Sequence, residues 1–260
     1  LLTHPLAYGY RTREISTLAD VKLEHETKIL NFKDSDSNVR APVAISLGIH
    51  VEGAALPHPA MDDAKSAQDG VFKRFGCVMP DYDDKIIDEL LSFTQKFMEE
   101  HLTPLPPDSD VSIEHWLSQT HYSQARKEEL LRKNSEITDP FDPRHAKVKS
   151  FIKDETYPEY KFPRAINSRT DEFKTLVGPT FKLVEKEVFK LPYFIKKIPV
   201  RDRPKVITEA LYVPGAKYFA TDFTAMEAHF RARMWEVEFA LYRYMTSKLP
   251  SHSAFMRHLE

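Results

Sequence analysis

Asp222 and Glu227 are the residues on which chemistry would turn in this chain. They lie five positions apart in KYFATDFTAMEAHFR, residues 217–231. Residues 217–222 alternate in the manner of a short strand, with Tyr218, Ala220 and Asp222 on one face and Phe219 and Thr221 on the other. Such a strand ends on the Asp222 carboxylate. Thr224 is an N-cap residue, and a helix is expected over 225–245, with Met226, Phe230, Met234, Val237 and Leu241 as its apolar stripe. Glu227 falls in its first turn. A strand-end acid followed by a second acid suits a divalent cation beside a ribose or phosphate, because Mg2+ takes one or two carboxylates plus substrate oxygens. The same spacing also suits a plainer reading, in which Asp222 ends the strand and Glu227 complements the helix dipole.

A second set of residues is basic. Between residues 144 and 205 the chain carries 16 Lys and Arg against 8 Asp and Glu, although its overall formal charge is −2. A basic segment inside an acidic chain points to a polyanion site, or to a solvated charged face. Strands are expected at 147–153 and 162–167, joined by the turn TYPEY, with Lys153, Lys161, Arg164 and Arg169 closely spaced along them. Alternation puts Arg164 and Ile166 opposite Ala165 and Asn167, so that Arg164 can face a groove. Arg clamps phosphate through a planar fork, and Lys acts as a point charge.

The remaining elements must position these groups. A helix is expected at 81–101, with three Asp residues at its positive end and a stripe of Ile86, Ile87, Leu90, Leu91, Phe97 and Met98. Ser112 and Ser123 read as caps of two shorter helices, the second at 124–133. Helical patterns cover 170–177 and 179–189, with Gly178-Pro179 as a break between them. A strand is expected at 206–213, and Pro214-Gly215 turns the chain into 217–222. Further upstream, a helical pattern occupies 15–30 and an apolar strand pattern 41–51.

Composition excludes several classes. There is no apolar run long enough to span a membrane. The one cysteine, Cys77, permits no internal disulfide and no zinc cluster. Neither G-x-x-x-x-G-K-[ST] nor G-x-G-x-x-G occurs, so a P-loop and a Rossmann phosphate site are both ruled out. No serine sits in a nucleophile elbow. The chain opens on Leu1 with no signal peptide, and is expected to be a piece of a longer polypeptide.

Three passages resemble the RNA-dependent RNA polymerases of positive-strand RNA viruses, closest to the tombusvirus-like group. HWLSQTHYSQARKEELLRK, residues 115–133, is similar to a helical passage of the fingers. FIKDETYPEYKFPRAINSRTDEFKTLVGPTFKLVEKEVF, residues 151–189, looks like motif F: a Lys-x-Glu start, a Pro-Arg-x-Ile-x-x-Arg core, then a helix. ATDFTAMEAHF, residues 220–230, looks like motif A of the palm. The resemblance implies that Asp222 holds one Mg2+ (or Mn2+) of a two-metal site with the backbone carbonyl of Phe223 beside it. It implies that Lys153, Lys161, Arg164 and Arg169 line the channel by which nucleotides enter and neutralise the triphosphate, with Glu155 orienting one of these cations by a salt bridge. Glu227 stands where the family usually has an Asp that senses the ribose 2′-OH.

The fold so implied is α+β, a right-hand polymerase, with the N-terminal segment and fingers at 1–200 and the start of the palm at 201–260. Motif B, with its Ser-Gly and Asn, and motif C, Gly-Asp-Asp, do not occur before Glu260. The chain is therefore expected to be an incomplete portion, inactive alone. The complete enzyme would make RNA on an RNA template from ribonucleoside triphosphates, with template and product RNA as partners alongside viral or host replication factors. It would act in the host cell cytoplasm, at replication membranes through regions not present here. The competing readings are a non-catalytic RNA-binding module that keeps the basic ribbon, and a structural α+β domain whose charge is only surface.

Overall fold

Helix starts follow the capping residues. In the computed structural model, which describes residues 64–76, 78, 81–155, 162–223 and 226–260, the elements in chain order are α1 (Ala64–Val71), a π-helical turn (Phe72–Gly76), α2 (Asp84–His101), α3 (Ile113–Ser118), α4 (Gln124–Ser135), β1 (Val148–Ile152), β2 (Ala165–Arg169), α5 (Asp171–Val188), a 3-10 turn (Val200–Asp202), α6 (Arg203–Leu211), α7 (Met226–His229), α8 (Ala232–Thr246) and α9 (His252–Leu259). Asp83 accepts from Lys85 N at 2.9 Å to open α2. Ser112 accepts from His115 N at 3.2 Å to open α3, Ser123 from Arg126 N at 3.4 Å for α4, and Thr170 from Phe173 N at 3.2 Å for α5. The patterns at 15–30 and 41–51, and the caps and turn at Thr224 and 156–160, lie outside the described residues.

These residues fall into two compact units. One gathers described residues from 1–81, 148–168 and 224–230; the other comprises Tyr82–Lys147, Arg169–Phe223 and Arg231–Glu260. The second unit is helical and is built around α5. Phe173 and Val177 of α5 pack with Phe255 and Met256 of α9, and Val184 packs with Leu105, Met245 and Leu249. Trp116, Leu117 and Leu130 join α3 to α4 in a third cluster. Alongside, α2 packs on α8, where the Arg233 guanidinium reaches Asp88 at 2.5 Å and Asp84 at 3.5 Å.

Four expectations are corrected here. The break at Gly178-Pro179 does not occur, since α5 runs through it. A Cβ on Gly178 would come within 2.7 Å of the Trp116 ring, so the glycine is there to admit the indole. A buried row of Phe173, Val177 and Val184 holds the helix despite the ~3 kcal/mol cost of an internal proline. The strand at 206–213 is instead helix α6. Its β-branched Val206, Ile207 and Thr208 suggest a strand, but Pro204 is preset for a first helical turn and Lys205 faces Glu209 one turn on. Residues 217–222 are exposed and outside any sheet among the described residues, because the neighbour that would have completed their backbone pairing has become helical. Lastly, the helix over 225–245 is two helices, with Arg231 extended between them. The first turn is anchored by Glu227 in one unit, and the remainder by Arg233 in the other. The turn at Pro214-Gly215 is present: Gly215 has φ +77 and Ala216 N donates to Val213 O at 3.1 Å, as a type II turn requires.

The junction of α4 with α5 carries a pH dependence. Arg126 donates both arms of its fork to Asp171, at 2.8 and 2.5 Å, and Lys133 meets Glu172 at 3.0 Å. The Arg126 hydrogen bonds hold the Asp171 carboxyl below its ordinary value; partial burial opposes this and Lys174 adds to it. A lowered carboxyl stabilises the fold above the ordinary Asp range, about pH 4, and the contribution is lost as pH falls through the lowered value. Asp171→Asn is expected to cost about 1–2 kcal/mol at neutral pH. In urea unfolding, the gap between variant and wild type should be full at neutral pH and close as pH falls below the ordinary Asp range.

Candidate functional site

The basic ribbon is an antiparallel hairpin in the first unit. Lys153 N donates to Arg164 O at 2.8 Å, and Ser150 Oγ donates to Asn167 Oδ1 at 2.7 Å. The second strand starts later than the alternation suggests, at Ala165. Pro163 has no N–H to give a ladder, so pairing is deferred past it. Arg164 thus sits at the hairpin's edge, where a long side chain is free of the pleat.

Glu155 gathers the cations there. Arg164 Nε donates to Glu155 Oε1 at 2.5 Å and its Nη2 donates to Oε2; Lys153 Nζ lies 3.0 Å from the same Oε2. The carboxylate is 16% exposed and the guanidinium 48% exposed, so the acid is enclosed by two cations that themselves face solvent. A fork that clamps a carboxylate bidentately clamps a phosphate in the same way. The ion pair expected between Glu155 and a neighbouring cation is therefore present, and it takes in two of them. Lys161 lies outside the described residues. Arg169 belongs to the second unit, where its guanidinium lies 4.8 Å over the Phe173 ring and donates to Ala146 O.

Asp222 and Phe223 belong to the second unit and Glu227 to the first. Asp222 is exposed and accepts from Phe223 N at 2.9 Å. Around it in sequence, Phe219 is 95% exposed, and Tyr218 and Phe223 are exposed as well. The Tyr218 hydroxyl donates to Leu211 O and accepts from Val213 N, both at 3.0 Å, which closes the loop behind the stretch. The oxygen donors of Asp222 and Phe223 are of the hard type that Mg2+ takes, but they are a partial set. Among the described residues, no three His, Cys, Asp or Glu side chains gather as a metal cluster.

Glu227 is held by a residue that the sequence patterns did not single out. Arg74, in the π-helical turn, donates from Nη1 to Glu227 Oε1 at 2.9 Å, from Nε to Pro163 O at 3.2 Å and from Nη2 to Phe162 O at 3.3 Å. The available signal was faint: a glycine inside a helix, Gly70, costs about 1 kcal/mol relative to Ala and so hints at a packing reason. A Cβ there would lie 2.7 Å from Pro163 O. No helix among the described residues is long and apolar enough to cross a membrane. No protein family, curated protein or solved structure with which the chain was compared matches it.

Proposed function

We propose that the chain is a portion of a viral RNA-dependent RNA polymerase, comprising fingers and the start of the palm of a right-hand fold. The complete protein transfers nucleotides from ribonucleoside triphosphates to RNA under the direction of an RNA template. The observation that carries this reading is the Lys153–Glu155–Arg164 cluster. The Lys-x-Glu and Pro-Arg elements that resemble motif F come together on one hairpin, with two cations turned to solvent around a shared acid. This is a site for a polyanion, and the triphosphate is the polyanion that the resemblance to motif F implies. Lys153 and Arg164 bind and neutralise it, and Glu155 keeps the two cations in register. Arg169 packs over Phe173 and donates to Ala146 O in the second unit.

Asp222 and the Phe223 carbonyl are the chain's share of the ligands for Mg2+, or Mn2+ in its place. When bound, the metal stabilises the attacking and leaving oxygens of an in-line phosphoryl transfer. Asp222 suits the role because it is exposed and, among the described residues, forms no ion pair that would have to break.

The test is extension of a primed RNA template by the complete polypeptide in Mg2+. Template-dependent incorporation of ribonucleotides supports the polymerase. RNA binding of normal strength without incorporation, in a polypeptide that carries no Gly-Asp-Asp, supports the RNA-binding module instead. Neither binding nor incorporation leaves the charge as surface alone.

A further inference from the structure

Glu227 stands where the resemblance calls for the shorter Asp. A glutamate has one more rotatable bond, so a carboxylate that must meet a ribose at a fixed place needs an outside restraint. Arg74 supplies one. Its guanidinium is 18% exposed and the Glu227 side chain 34%, so the pair is partly shielded from water. The Nε and Nη2 bonds to the Phe162 and Pro163 carbonyls fix the plane of the fork before Nη1 reaches Glu227. Those carbonyls immediately precede Arg164. Three acceptors in different directions suit a rigid planar fork with five donors, and an ammonium cannot span them.

The backbone around Arg74 is shaped for this contact. Arg74 rides on a single π-helical turn, a local distortion found often at functional sites. One turn earlier, Gly70 lets α1 approach Pro163 more closely than any side chain would allow. The Lys73 ammonium lies 5.9 Å over the Phe162 ring on the same segment.

Resting on the polymerase reading, we propose that Arg74 is a positioning residue for nucleotide selection: it holds the Glu227 carboxylate in the orientation that tests the ribose, and ties that carboxylate to the backbone carrying Arg164. Ribose testing and triphosphate binding are then coupled through one guanidinium within one compact unit.

The experiment uses the complete polypeptide on a primed RNA template, comparing kcat/KM for a ribonucleoside triphosphate with that for its 2′-deoxy counterpart. Arg74→Lys is expected to lower the ribonucleotide value about tenfold and leave the deoxynucleotide value unchanged, so that discrimination falls about tenfold. In a Glu227→Ala background, Arg74→Lys should cause no further loss of discrimination. A purely structural tie would lower both values together and lower the melting temperature, and that result overturns the proposal. So does additivity with Glu227→Ala. If the lysine variant folds poorly, Glu227→Gln reads the same contact from the other side, and unchanged discrimination there overturns it equally. A wild-type protein inert with both nucleotides overturns the polymerase reading and the proposal together. A wild type that discriminates, with Arg74→Lys discriminating equally well, overturns only the role of Arg74.

Discussion

Asp222→Asn is expected to leave the fold intact and bring nucleotide incorporation down to background in the complete enzyme. The two halves of that expectation come from different properties of the residue. Asp222 is exposed, accepts a hydrogen bond from the adjacent Phe223 N, and belongs to none of the buried clusters among the described residues. Asparagine has the same shape and an oxygen that can accept the same bond, so the change in stability should stay within about 0.5 kcal/mol. The loss of function is larger. An amide oxygen carries no full negative charge, and a Mg2+ site that draws on only one or two carboxylates cannot give up one of them. Losing several kcal/mol of transition-state stabilisation corresponds to about a thousandfold in rate or more. Melting temperature and circular dichroism check the first half, and labelled-nucleotide incorporation on a primed template checks the second. Mn2+ binding, followed by water-proton relaxation, should weaken in parallel. A folded variant that extends primers near the wild-type rate removes Asp222 from the metal site, and with it the motif A reading of 220–230.

Local signals carried well wherever the structure is local. Ser112 and Ser123 cap the helices that their positions suggest, because a cap is decided within four residues; Thr170, read as the first helical residue, proves to be the cap of α5. The helix expected over 81–101 emerges as α2 for the same reason, with Ile87 and Met98 of its stripe buried, whereas Ile86 is exposed. Signals failed where a distant partner decides. Pro179 reads as a break until Trp116, far away in sequence, needs the space that Gly178 leaves. Residues 217–222 alternate like a strand, but a strand exists only beside another, and 206–213 chose helix once Pro204 and the Lys205–Glu209 pair set its first turns. The site divides in the same way. Lys153, Glu155 and Arg164 could be read together because a hairpin brings near neighbours together. Arg74 could not, since nothing in residues 64–76 says that its partner lies at Glu227.

Arg164→Ala is expected to raise the apparent KM for nucleotides or lower kcat by one to two decades, the loss of a charge-assisted contact worth about 1.5–3 kcal/mol, while RNA binding changes less. Stability should barely respond. The Arg164 side chain is 48% exposed, and an ion pair so open to solvent contributes about 0–1 kcal/mol. Glu155→Ala separates a binding role from a structural one, because its effect on binding runs the other way. It leaves Lys153 and Arg164 without the carboxylate that both now share, so the hairpin edge gains net positive charge and should hold a triphosphate at least as tightly. It also removes the group that fixes where the two cations point, and kcat should fall because a misdirected guanidinium no longer orients the phosphates. The pair of variants thus predicts a split: KM rises or kcat falls without Arg164, and kcat falls with KM unchanged or lower without Glu155. Steady-state kinetics at two salt concentrations reads it, since the tighter binding of Glu155→Ala should fade at high ionic strength. If both variants use nucleotides normally and both unfold more readily, the cluster is a structural clasp on the hairpin, and the triphosphate must be bound elsewhere.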